Sequence, residues 1–277
     1  MRKVGMSSCG INGFSIETFE NLKKTGIDAV EVSITETNSA MKIDWQKMKK
    51  LSEDTGVELW TAHLPFHPFE VNNIASLDKD VCKKTVETLS EYLKNAASIG
   101  IKTGVIHPSG EPIADEDREL SMQHAKECLY ELAKVCKREG IVLAIEDLPR
   151  TCLGRNSGEV LDLISPDESL MVCFDTNHLL GESIKDFVKA VGSKIRTLHV
   201  SDYDRLDERH WLPGEGVIDW VEMMDLLDEI NYNGVFMYEL SVTDPWKNIT
   251  RSRDLTPADF YRNACELHNR EKLTVIK

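Results

Sequence analysis

Acids and histidines recur at the ends of short apolar runs along the whole chain. Glu31 falls in AVEVS, His63 in WTAHLPF, His107 in GVIHPSG, Glu146 in LAIEDLP, Asp175 and His178 in VCFDTNH, His199 and Asp202 in LHVSD, and Glu239 in FMYEL. Carboxylates and imidazoles brought together can ligate a divalent cation and can relay protons. Each residue alone has a plainer role. A histidine at such a place can be an ordinary core residue, an acid can cap the next helix, Glu31 can pair with a lysine, and Asp202 can do no more than bond loop amides. Glu146, Asp175, His199 and Glu239, on four successive runs, argue for a shared site. Burying several carboxylates together costs several kcal/mol each unless a cation or hydrogen bonds compensate.

The elements that must position these residues alternate. β-rich runs at Val4–Cys9, Ala29–Ile34, Val57–His63, Gly104–His107, Ile141–Glu146, Leu170–Asp175, Ile195–Val200 and Gly234–Leu240 read as eight strands, mostly apolar throughout, as parallel strands covered on both faces are. Amphipathic stretches at 16–25, 44–55, 79–98, 116–139, 157–164, 183–191, 218–230 and 256–269 read as helices. Ser15 with Thr18, Asp44, and Thr256-Pro257 supply start signals, while Gly56, Gly100 and Gly140 supply stops. Eight such repeats predict a closed α/β barrel, a (β/α)8 TIM barrel spanning residues 1–277 as a single domain, in which the carboxyl ends of the strands converge on one face. An open doubly wound sheet is the rival, but no glycine-rich dinucleotide loop follows the first strand. The polar segment 201–217 is too long for a plain connection and reads as a functional loop.

The 277 residues are 41% hydrophobic and 29% charged, the profile of a globular protein with ample core. The net charge of -14 repels polyanions and speaks against nucleic acid and anionic membranes as partners. The start MRKVGMSSCG does not read as a signal peptide, and no apolar run approaches the roughly 20 residues of a membrane span. Seven cysteines without a CxxC pair are expected to be reduced thiols in a cytoplasmic protein. The PGEG run at 213–216 lacks the Lys-Ser/Thr of a phosphate loop. Trp60, beside the third strand end, and Trp211, in the long loop, could wall a sugar site, although core packing is the plainer role for each.

At IHPSG (106–110), IEDLP (145–149), VCFDTNH (172–178), LHVSD (198–202) and RHWLPGEGVIDW (209–220) the chain resembles the xylose isomerase-like barrel superfamily. That group includes sugar-phosphate isomerases, ketose 3-epimerases, inositol-catabolism enzymes and endonuclease IV. The resemblance to the ketose 3-epimerases implies one metal held by Glu146, Asp175, His199 and Glu239, with Glu146 and Glu239 also serving as the acid/base pair. It implies substrate contacts from His178, three residues after the metal Asp, and Arg205, six after the metal His. Cys152 stands where those enzymes carry a further Glu. The resemblance to endonuclease IV implies additional metal ligands at His63, His107, His178, Glu208 and His210.

The expected activity is a divalent-metal-dependent isomerisation or epimerisation of a small sugar or polyol, by proton transfer alpha to a carbonyl through an enediolate. His63, His107, His178, Arg205 and His210 are the expected substrate-binding residues. Mn2+, Mg2+, Zn2+ and Co2+ all suit a mixed oxygen and nitrogen site. The alternatives are an endonuclease IV-like multinuclear zinc phosphodiesterase and a noncatalytic sugar-binding barrel. A homodimer is the default assembly for such a barrel.

Overall fold

The computed structural model describes residues 1–11, 13–33, 43–240, 242–243 and 249–276. Eight strands are present: β1 (Val4–Ser7), β2 (Ala29–Ser33), β3 (Glu58–His63), β4 (Thr103–Ile106), β5 (Val142–Glu146), β6 (Met171–Asp175), β7 (Ile195–His199) and β8 (Phe236–Tyr238). Among the described residues they alternate with the α-helices α1 (Ile16–Lys24), α2 (Trp45–Thr55), α3 (Lys79–Ser98), α4 (Arg118–Glu139), α5 (Ser157–Ile164), α6 (Ile184–Val191), α7 (Trp220–Glu229) and α8 (Pro257–His268). Every expected strand and helix has its counterpart. α4 opens later than residue 116 because Asp115–Asp117 form a 3-10 turn. Ile34, expected to end the second strand, lies outside the described residues.

The strands are parallel in the order β7-β6-β5-β4-β3-β2-β1-β8. The ends of that order meet. Val200, just after β7, bridges Tyr238 of β8 in parallel, its amide donating to the Met237 carbonyl at 2.8 Å, while the Glu239 amide donates to the Val200 carbonyl at 3.2 Å. The sheet thus closes into a TIM barrel. Among the described residues no helix is long and apolar enough to cross a membrane.

The helix ends follow the sequence signals. The Ser15 hydroxyl accepts from the Thr18 amide and the Asp44 carboxylate from the Lys47 amide, each closing a first turn. Thr256 and Asp259 form a capping box ahead of Pro257. Gly56 and Gly140 end α2 and α4 in the left-handed region, at φ 70° and 68°.

Alternation along the strands sorts two cores. One set of side chains faces the helices, as where Phe174 stacks on Phe187 of α6 at 4.8 Å. The other set faces inward, as small clusters of Ala29, Trp60, Val235 and Met237, and of Val105, Ala144 and Cys173. Continuing the inward parity toward the carboxyl ends reaches Glu31, His107, Glu146, Asp175 and Glu239. Two irregularities tune this. Between β2 and β3 the register jumps from Val30↔Leu59 to Glu31↔Thr61, and between β6 and β7 from Val172↔Ile195 to Cys173↔Thr197. Each bulge skips one residue, Trp60 and Arg196, and changes which residues beyond it face inward. That turns His63 to the interior and sets His199 level with Asp175.

Candidate metal centre and cavity

His199 is the hub of the inward-facing polar layer. Its Nδ1 stands 2.9 Å from Glu146 Oε1, 3.0 Å from Glu239 Oε2 and 4.0 Å from Asp175 Oδ2. Its Nε2, on the other edge of the ring, stands 3.0 Å from Glu31 Oε2. Glu31 also accepts a hydrogen bond from the Thr61 hydroxyl at 2.8 Å, and among the described residues it pairs with no lysine. The second oxygen of Glu146 is shared by His63 Nε2 at 3.1 Å and His107 Nε2 at 3.3 Å. Glu31, Glu146, Asp175 and His199 are buried, and Glu239 and His107 are the more open members of the layer.

The electrostatics of this layer couple its carboxylates to its imidazoles. Burial raises the Asp175 carboxyl to about 6, against the pull of His178 and His210. Burial acts in the same direction on Glu239, yet the His199 charge overrides it and holds that carboxyl at about 2. Burial would also lower His63, but its hydrogen bond and charge contact with Glu146 carry it to about 9. His199 likewise rises despite burial, under Cys173, Glu239, Glu31 and Glu146. Protons on imidazoles therefore balance the carboxylates. Among the described residues, Asp175 Oδ2 and Glu31 Oε1 are buried with no hydrogen-bond partner. Donor atoms of Glu146, Asp175, His199 and Glu239 all lie within 4.8 Å of one another, as do those of His63, Glu146 and His199. Three carboxylates, an imidazole and an orphaned buried oxygen fit a divalent cation well, and these residues could hold one.

A second donor set lies beside the first. His178, Glu208 and His210 bring ligand atoms within 4.8 Å of one another. Each histidine is oriented by a backbone carbonyl: His178 Nδ1 lies 2.8 Å from the Asp147 oxygen and His210 Nδ1 lies 3.0 Å from the Glu239 oxygen. These contacts leave the Nε2 edge of each ring to other partners, and, against the lowering effect of burial, the carboxylates around His178, Asp175 first, raise its imidazole to about 9. His210 sits at φ 51° in the 201–217 loop, its amide and that of Arg209 both donating to the Asn177 side chain.

That loop is folded around Asp202. The Asp202 carboxylate accepts from the amides of Tyr203, Gly214 and Ile218 and from the Trp220 indole at 2.8–3.2 Å. A Cβ at Gly216 would collide with the same carboxylate and with the Tyr203 carbonyl, so only glycine fits. Asp202 therefore organises the loop and ligates nothing.

The polar layer floors a cavity of about 460 Å3 at the carboxyl ends of the strands. His63, His107, Glu146, His178, Glu208, His210 and Glu239 all line it. Phe66 lies flat on His107 with ring centroids 4.0 Å apart, and with Phe69 and Leu148 makes one wall apolar. Arg205 does not line it. That residue, expected to contact substrate, is exposed at φ 63° and its guanidinium interacts with Tyr203. Trp60 is also absent from the lining. As a bulge residue near the start of β3 it packs at the other end of the barrel and donates from its indole to Thr197 at 3.1 Å. Trp211 contributes backbone hydrogen bonds to Asp202 and does not line the cavity either. Cys152, in contrast, does line it. Arg150 and Glu111, which sequence reasoning passed over, stand at the rim. Nothing in their local sequence announces them, because they meet only when three loops close together.

Comparison with known proteins places relatives beside this geometry. The family described as xylose isomerase-like TIM barrel matches residues 19–257. D-psicose 3-epimerase of Ruminiclostridium cellulolyticum is 26% identical over 277 aligned positions, covering 90% of this chain and 92% of its own. L-ribulose-5-phosphate 3-epimerase of Escherichia coli is 23% identical, covering 88% of this chain and 89% of its own. A solved D-tagatose 3-epimerase-like protein superposes with a TM-score of 0.81 at 22% identity, covering 97% of each chain, a likeness of fold.

Proposed function

The chain belongs to the xylose isomerase-like TIM barrel family, and from that premise we propose that it is a metal-dependent sugar isomerase or epimerase moving a proton on a carbon alpha to a carbonyl. The meeting of Glu146, Asp175, His199 and Glu239 at the floor of the cavity carries this reading. These four would hold a divalent cation (Mn2+, Mg2+, Zn2+ or Co2+), which supplies Lewis-acid polarisation of a substrate carbonyl when bound.

Glu146 and Glu239 come from strands three places apart round the barrel and both reach Nδ1 of His199, so two carboxylates flank one point. Both are held as anions, Glu239 at about 2 and Glu146 well below its ordinary value, each against the opposing effect of burial. That is the form a base needs at neutral pH. One carboxylate takes the proton from one face of the carbon, and the other, once it has taken up a proton from solvent or a substrate hydroxyl, delivers that proton to the opposite face. His63 and His107 grip Glu146 Oε2 and orient the group. His178 and His210 offer Nε2 to substrate hydroxyls. The wall of Phe66, Phe69 and Leu148 suits the C–H face of a sugar and keeps water from the reacting carbon. The epimerases among the relatives support a ketose or related polyol as substrate.

The test is a panel of ketoses and cyclic polyol ketones incubated in D2O with Mn2+-loaded protein. Deuterium should enter at the carbon beside the carbonyl as the epimer or isomer appears. No exchange with any member by a fully loaded protein would sink the reading.

The second donor set, His178, Glu208 and His210, favours one other reading, a multinuclear zinc phosphodiesterase. The net charge of -14 weighs against a nucleic-acid substrate. Incision of an abasic-site duplex would decide for it.

A further inference from the structure

Arg150 stands on the loop after β5 at φ 54°, a left-handed conformation that costs a non-glycine residue energy. Its guanidinium gathers carboxylates from two other loops. Nη2 and Nε reach Glu111 at 2.9 and 3.0 Å, and Nη1 reaches Asp207 at 2.7 Å and Glu208 Oε2 at 3.2 Å. The same Glu208 oxygen lies 3.8 Å from His178 Nε2. One oxygen thus faces an organic cation on one side and, on the other, a histidine oriented as metal-ligating histidines are.

We propose that Arg150 is a built-in substitute for a second metal ion: by engaging Glu208 it limits the chain to one tightly held divalent cation, and its removal turns His178, Glu208 and His210 into a second metal site. The inference rests on the metal centre proposed above. Its physics is charge. A guanidinium cannot be deprotonated in a protein, so the substitution persists at every working pH. A divalent ion bridging to the same carboxylate would lie a few ångströms from that fixed positive charge, and the repulsion outweighs one added oxygen ligand. Glu111 grips the guanidinium through two nitrogens and Asp207 through a third, so Arg150 stays in place even if Glu208 turns toward the histidines.

The experiment counts metal. Chain purified without chelator or nickel resin is dialysed against Mn2+, and bound Mn2+ is measured by elemental analysis and electron paramagnetic resonance. Wild type should hold one Mn2+ per chain. Arg150→Met should hold two, the second bound at least about tenfold more tightly than any second ion on wild type, with the spectrum of a neighbouring pair. Arg150→Met with Glu208→Gln should return to one. Should Arg150→Met fail to fold, Glu111→Gln loosens the guanidinium without touching a Mn2+ donor, and should give a second ion of intermediate affinity. Two ions on wild type, or one on both Arg150→Met and Glu111→Gln, overturn the inference. No Mn2+ on any of these proteins overturns it together with the main centre.

Discussion

Glu31 Oε2 lies 3.0 Å from His199 Nε2, on the ring edge opposite the one that faces Glu146 and Glu239. A buried carboxylate behind a histidine fixes its tautomer and ring plane and raises its basicity toward a metal on the other nitrogen. Glu31→Gln should therefore weaken Mn2+ binding about 10–100-fold while the fold survives, as read by competition with a chelator. Unchanged affinity would assign Glu31 to packing alone.

Glu146→Gln keeps the shape of the group and removes its charge. Turnover should fall by about 10²–10⁴-fold, the range for loss of a positioned general base, with substrate affinity largely kept. Solvent deuterium exchange and substrate titration read the two effects separately. Near-normal exchange would strip Glu146 of its proton-transfer role.

The pH dependence of the metal-free protein has a definite sign. His63 is raised from 6.5 to about 9 because Glu146 outweighs the effect of burial. A raised folded value contributes stability that is fully present below about 6.5 and is lost as pH rises through about 9. Thermal melts of chelator-treated protein should show falling stability across that window. Metal binding should release protons over the same range, which calorimetry in buffers of different ionisation enthalpy measures. A flat profile would contradict the His63–Glu146 contact.

Asp202→Ala leaves three amides and an indole N–H without their acceptor. The cost should be about 2–4 kcal/mol, seen in denaturant unfolding. KM should rise too, since the same loop carries Glu208 and His210.

Arg205→Ala should change KM by no more than about twofold, because exposed side chains away from a site contribute within about 0.5 kcal/mol. A loss of tenfold or more would mean that the loop closes over substrate and brings Arg205 with it.

The barrel and the convergence of its polar strand ends were legible in the sequence for a simple reason. Parallel strands are apolar throughout, so a charged residue at a strand end stands out, and Glu146, Asp175, His199 and Glu239 each broke an apolar run. His63 faces the interior although strict alternation from Trp60 would turn it outward, and the bulge that turns it inward leaves no mark in the residue types. Core packing, the plainer role expected of Trp60, is the one it has: it lies three residues from His63 in sequence but packs at the far end of the barrel in space. Arg205 lies off the cavity because spacing from His199 fixes a residue's place in a loop and not the direction of a long flexible side chain. Arg150 was missed because its partners, Glu111, Asp207 and Glu208, are about 40 to 60 positions away and only the folded loops bring them together.

The barrel closes at a narrow joint. β8 has three residues, and its contact with the β7 side runs through Val200, whose carbonyl takes the amide of Glu239. His199 lies one residue before that joint and Glu239 forms part of it, so a cation gripped by both would act as a rivet through the seam. The amides of Val200 and Glu239 are then natural strain gauges. Their exchange with solvent would slow when the rivet is driven in, and the seam would be the first line to part when it is drawn.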